Sequence, residues 1–232
     1  MAKKTKTAID GWKYEKIYNR EGVLTKKKDG LEGEYGAEER LNKKWRRYGH
    51  GNEGRLHISE VMRYKPDSMI DIGCGYNEFM KEIRSAMKTI RGYKKEDWIG
   101  SDVACPGADV IAPAHDLPFE DDQFDMVVSF DCMEHIPEEE VPLCIEEFHR
   151  VGQRIYLKIA LTQCSTLIDG QPLHACVKPA EWWLDSVREY FPTAHILRIS
   201  KKNSPWESAI IYADKNEILE LEEDSDLVDE QE

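Results

Sequence analysis

A glycine-containing turn that follows a short apolar run is the segment of this sequence with the clearest chemical meaning. Residues 69–77 read Met-Ile-Asp-Ile-Gly-Cys-Gly-Tyr-Asn, and a helix is predicted over residues 78–90. Gly73 and Gly75 permit a tight turn and let the backbone approach a ligand that a Cβ atom would obstruct. The first N–H groups of the helix have no partner within it and point over the turn. The pattern predicts a cradle for a nucleotide-type cofactor.

An acidic residue at the end of the next predicted strand favours the same chemistry. The strand predicted over residues 98–103 ends in Asp102 and Val103. A carboxylate at the carboxyl end of a parallel strand can accept hydrogen bonds from both hydroxyls of a ribose. A loop or capping aspartate is the alternative, but the position at the strand end favours ribose binding.

A polar pair and an apolar plug precede the fourth predicted strand. His115 and Asp116 are followed by Leu117, Pro118 and Phe119. Either member of the polar pair could hold an adenine amino group. Leu117 and Phe119 could cover the adenine ring or simply belong to the core.

Polar residues also cluster where the fourth strand ends, over residues 129–137. Open α/β sheets bind ligands at the carboxyl ends of their strands. His135 is the first candidate for a general base and His174 the second, although Glu134 and His135 could equally form a structural pair. The nearby acids 138–140 could build a cation site with this pair. We expect no metal, because a helix start favours acidic residues for its own reasons.

The order and spacing of these motifs resemble those of class I S-adenosylmethionine-dependent methyltransferases. The resemblance covers residues 66–161 and rests on an Asp-x-Gly-Cys-Gly turn, a Leu-Pro-Phe plug, a Phe-Asp-x-Val strand and a Glu-His pair. It implies S-adenosylmethionine as cofactor and S-adenosylhomocysteine as product. The residues that it assigns to the cofactor are Asp71, Gly73, Cys74, Gly75, Asp102, Val103, His115, Asp116, Leu117, Ser129 and Asp131.

The resemblance also implies a role for each group of these residues. The backbone of residues 73–75 would contact the methionine part, with Asp71 beneath it holding the turn or the ammonium group. Asp102 would bind the ribose and Val103 would pack beside the adenine, in a pocket lined by residues 115–117. Ser129 and Asp131 would lie near the sulfonium and the amino group.

Two positions depart from the family pattern. Asn77 replaces the third glycine of the turn, and we expect it to adopt an unusual backbone angle and to cap the next helix. Pro113 stands where several family members carry an acid that contacts adenine. The contact to the adenine amino group must therefore come from another residue.

Alternating strand and helix signals after residue 66 predict the elements that position these residues, including a strand over residues 124–130 and a helix over residues 138–150. A further helix is predicted over residues 37–47. The fold class is α/β, with a doubly wound, seven-stranded, mostly parallel sheet of the Rossmann-like type and an N-terminal helical cap. The predicted divisions are a basic N-terminal arm, a helical cap, a methyltransferase domain and an acidic disordered tail, over residues 1–36, 37–65, 66–215 and 216–232.

Composition limits the class of protein. The net charge is −13, but residues 1–47 contain 14 Lys and Arg against eight Asp and Glu. The acidic body disfavours nucleic acid as a partner, and residues 1–47 are the segment that would contact it. No apolar run is long enough for a membrane span or a signal peptide. The six cysteines form no CxxC pair, so free thiols and a cytoplasmic location are expected.

The sequence thus predicts a methyltransferase that acts on an oxygen or nitrogen atom of a small molecule or saccharide. Three alternatives stay open at this stage: an RNA or protein methyltransferase that uses the basic arm, a non-catalytic binding or assembly module, and a nicotinamide-dependent oxidoreductase. The last is disfavoured, because the later motifs have no role in that template. A homodimer is also left open, since an exposed arm could pack against a second subunit.

Overall fold

In the computed structural model of the protein, the described residues are 52–90, 92–103, 105, 107–165, 167–168 and 171–217. The predicted arm 1–36, the helix predicted for residues 37–47 and the tail from residue 218 onward lie outside this part of the chain. Of the predicted cap 37–65, the described portion is helix α1, Asn52–Val61, which ends in a 3-10 turn at Met62–Tyr64.

A seven-stranded sheet forms the centre of the described chain. Its strands are β1 Met69–Ile72, β2 Trp98–Asp102, β3 Val110–Ile111, β4 Phe124–Phe130, β5 Gly152–Ala160, β8 His195–Ser200 and β9 Ser208–Asp214. Their order is β3-β2-β1-β4-β5-β9-β8. The pairs from β3 to β5 are parallel, whereas β9 runs antiparallel to β5 and β8. The predicted mostly parallel α/β sheet is confirmed.

Helices cover both faces of the sheet. They are α2 Glu78–Met87, α3 Val141–Val151 and α4 Ala180–Arg188, in addition to α1. Phe79 of α2 and Tyr156 of β5 belong to the buried cluster on one face, and Trp183 of α4 and Ile155 of β5 belong to the cluster on the other. Consecutive residues of β5 point to opposite faces, as the pleat of a strand requires. The central strands are therefore buried on both sides and read as apolar runs.

The structure differs from the sequence prediction mainly at element ends. The helix predicted over residues 138–150 begins as a separate 3-10 turn, Glu138–Glu140, and α3 starts at Val141. Pro142 suits the first turn of α3 because an N–H group there has no partner within the helix. A short hairpin of β6 Leu167–Ile168 and β7 Gln171–Pro172 was not predicted, since two-residue strands show no periodicity.

A helix that crosses a membrane needs about 20 consecutive apolar residues. None of the helices in the described ranges is both long and apolar enough to cross a membrane.

Candidate active site

The carboxyl ends of β2, β1 and β4 lie side by side at one edge of the sheet. β2 and β3 lie on one side of β1, whereas β4 and β5 lie on its other side. The direction in which strands are added to the sheet therefore reverses at β1. Such a reversal opens a crevice in which α/β proteins bind ligands. The turn after β1, Asp102 at the end of β2 and Ser129 near the end of β4 all reach this edge.

The turn after β1 is held against β2 by its own backbone. The N–H groups of Gly73 and Cys74 both donate to the carbonyl of Ser101, at 2.9 and 3.0 Å. Gly73 has φ +77° and Gly75 has φ +53°, a region that residues with a Cβ rarely adopt. A Cβ on Gly73 would stand 2.3 Å from Sγ of Cys132. The turn is therefore a close approach between two loops, and only glycine fits it.

Asp102 fastens the two loops that follow β1 and β2. Its Oδ2 accepts the N–H of Gly75 at 3.0 Å, and its Oδ1 accepts the N–H of Cys105 at 2.9 Å. The sequence pattern favoured ribose binding by Asp102, with a loop or capping aspartate as the alternative. The two hydrogen bonds show the loop role, and ribose binding stays a prediction. A carboxylate oxygen has two lone pairs, so each can still accept a hydroxyl. Val103 follows directly and is partly buried.

Asp71 is buried in the middle of β1, beneath the turn. Burial, reinforced by the nearby charge of Asp102, raises the pKa of Asp71 to about 8. A positive group placed over the turn would favour the ionised carboxylate and lower this pKa. The position therefore suits a cationic ligand such as an ammonium group.

Asn77 adopts the unusual backbone angle that the sequence predicts but not the capping role. Its φ is +64°, and its side chain makes no capping hydrogen bond to α2. Instead its Nδ2 donates to Oδ2 of Asp109 at 2.7 Å. The capping prediction was wrong because Asp109, on the loop before β3, takes up the side-chain amide. That carboxylate also accepts the N–H of Gly100 at 2.9 Å.

The end of β4 presents two polar side chains to the same edge. Ser129 donates its Oγ–H to the carbonyl of Ile72 at 2.8 Å, which ties β4 to β1. Asp131 has φ +48° and forms an ion pair with Lys158 of β5. Sequence reasoning did not identify Lys158. The signal was a cation within the apolar second half of β5, directly opposite Phe130 in the β4–β5 register.

The loop before β4 is anchored to α3. Leu117 is buried in the core and its N–H donates to Oε1 of Glu147 at 2.8 Å. His115 is also buried, with its Nδ1 3.8 Å from Oε2 of Glu140, whereas Asp116 is exposed. The three residues thus have three different surroundings. Their assignment to an adenine pocket stays a prediction.

The structure brings the two candidate bases together. The rings of His135 and His174 have centroids 5.0 Å apart and lie nearly perpendicular, at 84°. Burial lowers the pKa of both imidazoles, and the neighbouring His174 helps to bring the pKa of His135 to about 4. Both rings are therefore neutral near pH 7, with a lone pair available to accept a proton or bind a cation.

Glu134 completes this group as a fully buried acid. Neither carboxylate oxygen has a hydrogen bond of normal geometry among the described residues, although the backbone N–H groups of Ala160 and of Glu134 itself lie close enough to favour the ionised form. Burial and the nearby charge of Asp131 raise the pKa of Glu134 well above its usual range. From the sequence, this glutamate could form half of a structural pair or part of a cation site with residues 138–140, but a local pattern does not reveal that it is buried.

Comparisons with known proteins identify the domain. Residues 70–154 match a family model described as a methyltransferase domain. Among curated proteins, none matches the chain in sequence.

Several solved structures share the fold. The 1,6-didemethyltoxoflavin-N1-methyltransferase of Burkholderia thailandensis, bound to S-adenosylhomocysteine, aligns with a TM-score of 0.54 at 12% identity, over 78% of this chain and 87% of that one. The magnesium protoporphyrin IX methyltransferase of Synechocystis, also with S-adenosylhomocysteine, aligns with a TM-score of 0.51 at 16% identity, over 78% and 94%.

A third structure is a longer protein. It comes from Nostoc punctiforme, is classed as an O-methyltransferase, and aligns with a TM-score of 0.51 at 11% identity, over 71% of this chain and 56% of that one. The present chain therefore spans about half the length of that protein. At these identities the similarity shows a shared fold. Residues 70–154 match a methyltransferase domain, and the described sheet shares its fold with methyltransferases solved with bound S-adenosylhomocysteine.

Proposed function

We propose that this protein transfers the methyl group of S-adenosylmethionine to an oxygen or nitrogen atom of a small molecule or a saccharide. The observation that carries the proposal is the convergence of the glycine turn, Asp71 and Asp102 at the strand-order reversal. The sulfonium of the cofactor supplies an activated methyl group when it is bound. The residues of the chain would bind, orient and shield the reactants.

The residues at this edge fit the cofactor. The backbone at Gly73 and Gly75 leaves room that any side chain would fill, so a ligand can lie directly on the turn. Asp71 would favour the ammonium of the methionine part, and Asp102 would accept ribose hydroxyls. Asp131, held by Lys158, would lie on the side of the reacting sulfur.

The two imidazoles are the candidates for removing a proton from the methyl acceptor. Methyl transfer by in-line displacement needs mainly alignment of the reactants, which can supply about 7–11 kcal/mol in well-oriented cases. A base that removes a hydroxyl proton adds roughly 10²–10⁴-fold. His135 and His174 are neutral near pH 7 and could serve as this base. Small-molecule acceptors are supported by the names of two similar structures, which act on a toxoflavin precursor and a porphyrin.

The first test is calorimetric titration of the full chain with S-adenosylmethionine and S-adenosylhomocysteine. We expect micromolar binding, and at least a tenfold loss of affinity in Asp102→Ala. The matched control is Glu96→Ala, which removes an exposed acid near the other end of β2 and should bind as wild type does. Asp102 also holds two backbone N–H groups, so circular dichroism must show that the variant is folded.

The result of this titration decides between the proposed methyltransferase and its alternative. Absence of binding to the wild type would overturn the proposal and favour a non-catalytic module. Binding that depends on Asp102 would justify a screen of acceptors with labelled methyl groups, in which hydroxyl and amine compounds are compared directly.

A further inference from the structure

Three side chains of the types that bind transition metals meet beyond the end of β4. One ligand atom each from Glu134, His135 and His174 lies within 4.8 Å of the others. Glu134 and His135 belong to the 3-10 turn Met133–His135, whereas His174 lies on the segment after β7. The N–H groups of Ala175 and Cys176 donate to the carbonyl of Glu134, at 2.8 and 2.9 Å. The two segments are therefore fastened together at this point.

Both imidazoles are oriented as metal ligands usually are. Nδ1 of His135 donates to the carbonyl of Leu173 at 3.2 Å, and Nδ1 of His174 donates to the carbonyl of Thr162 at 2.7 Å. A histidine that binds a metal almost always donates its other ring N–H to such a group, which fixes the tautomer and the ring. Nε2 of each ring is then the nitrogen that can face a metal ion, although the backbone carbonyl of Asp131 also lies close enough to the His135 ring to raise its pKa.

The third side chain, Glu134, lacks a well-formed ion-pair or hydrogen-bond partner in the described part of the chain, and a bound cation would be such a partner. Glu134 is 0% exposed, and among the described residues its two carboxylate oxygens have no well-formed hydrogen bond, only the loose approach of the backbone N–H groups of Ala160 and of Glu134 itself. Burial of an unpaired carboxyl group is costly, and native proteins usually pair such groups or bind metals with them. A structural Glu-His pair does not remove this cost, because the imidazoles donate elsewhere.

We propose that Glu134, His135 and His174 bind one divalent transition-metal ion, with Zn²⁺ as the best match. Two imidazoles and one carboxylate form the ligand set of many catalytic zinc sites, and of open iron(II) sites. With bonds of about 2.1 Å, ligand atoms in a tetrahedral site lie roughly 3.4 Å apart, so modest side-chain rotations would close the observed spacing.

Three protein ligands leave at least one coordination position for water or for an oxygen atom of an acceptor. The site lies just past Asp131, next to the edge proposed for the cofactor. This proposal replaces the sequence-based expectation that the region holds no metal. It makes the two histidines ligands, which would leave neither of them free to act as a base while the ion is bound.

The test uses the full chain after removal of metals with a chelator. Zn²⁺ and Co²⁺ are titrated separately, and bound metal is measured by mass spectrometry and by the visible spectrum of Co²⁺. We expect one ion per chain, and at least a tenfold loss of affinity in His174→Ala and in Glu134→Gln. The control is His195→Ala, because that half-buried imidazole also has its Nδ1 on a backbone carbonyl, that of Thr193 at 3.1 Å.

Three results would overturn the proposal. They are no stoichiometric binding, unchanged affinity in both variants, and a thiolate charge-transfer band in the Co²⁺ spectrum, which would assign the ion to cysteines such as the nearby Cys176. Circular dichroism checks that each variant folds. A parallel titration of the metal-free protein with S-adenosylmethionine keeps this proposal separate from the proposed function, since that binding should persist without the ion.

Discussion

Asp71 is a buried carboxylic acid on a central strand, and its ionisation links the stability of the protein to pH. Its pKa is about 8 in the folded protein, against about 3.9 for an unfolded chain. Between these values the folded state binds more protons than the unfolded state. The contribution of Asp71 therefore makes the protein less stable as the pH rises from about 4 to about 8.

Replacement of Asp71 by Asn should weaken this pH dependence. The slope attributable to a single such group is at most about 1.4 kcal/mol per pH unit. We expect the free energy of unfolding of Asp71→Asn, measured in urea between about pH 5 and pH 8, to fall less steeply than that of the wild type. Asp67→Asn, at an exposed position just before β1, should keep the wild-type slope. If the free energy of unfolding depends on pH equally in all three proteins, Asp71 is not the source of the pH dependence.

Gly73 shows how a single hydrogen atom in place of a methyl group allows two loops to approach closely. Its positive φ alone would cost a residue with a Cβ about 1–2 kcal/mol. The approach of Cys132 adds a steric term, because the new Cβ would stand 2.3 Å from Sγ. Gly92 separates the two effects, since it has φ +88° but a Cβ added there would meet no atom within 4 Å.

Gly73→Ala should therefore lower stability by more than Gly92→Ala, and it should abolish cofactor binding. For Gly92→Ala we expect the free energy of unfolding to fall by about 1 kcal/mol and the affinity for S-adenosylhomocysteine to stay unchanged. Urea unfolding and calorimetric titration with S-adenosylhomocysteine measure the two quantities. Equal losses in both variants would mean that backbone strain, and not the contact with Cys132, determines the effect.

At the scale of elements, one arginine connects α3 to the loop that carries the predicted adenine residues. Arg150 donates to the carbonyls of Leu117 and Phe119, at 3.0 and 2.7 Å. It also pairs with Glu147 at 2.7 Å and with Asp121 at 2.8 Å. The guanidinium suits this position because its donors form a planar fork that can serve several acceptors at once. The loop conformation thus depends on the helix behind it.

Loss of this connection should destabilise both the fold and the site. Arg150→Met leaves the buried Glu147 without its cation. We expect the free energy of unfolding to fall by about 2–3 kcal/mol, somewhat less than the usual cost of breaking a fully buried pair. Arg55→Met breaks an exposed pair with Glu82 and should cost less than about 1 kcal/mol. Urea unfolding provides the comparison. A similar small loss in both variants would show that the loop does not depend on Arg150.

At the scale of the whole molecule, cofactor binding and folding are thermodynamically linked. A ligand that binds only the folded state stabilises it by about 2.7 kcal/mol at 100 times its dissociation constant. For a chain of 232 residues, each kcal/mol shifts the melting temperature by about 2–4 °C. The midpoint of thermal unfolding should thus rise by about 5–10 °C.

Differential scanning fluorimetry can test this with S-adenosylhomocysteine and, as a control, a nicotinamide dinucleotide at the same concentration. We expect a shift with the first compound and none with the second. The reverse result would favour the oxidoreductase that sequence analysis places last.

Much of this protein could be predicted from local sequence. Strand and helix types followed from periodicity and glycine positions, and the strand prediction for residues 124–130 matches the observed bounds. Asp71, the glycine turn and Asp102 were identifiable because the carboxyl ends of parallel strands meet at one edge. Their roles toward a cofactor remain predictions, but their common location follows from the sequence pattern and the rules of parallel sheets.

Which distant groups meet depends on how the elements pack. The antiparallel insertion of β9 between β5 and β8, the pairing of Lys158 with Asp131, and the juxtaposition of His135 with His174 join residues far apart in the chain. Local patterns report which face of an element is apolar. Register, burial and the distance between side chains instead depend on how whole elements pack, and at this packed edge they determine which carboxyl and imidazole groups can act together.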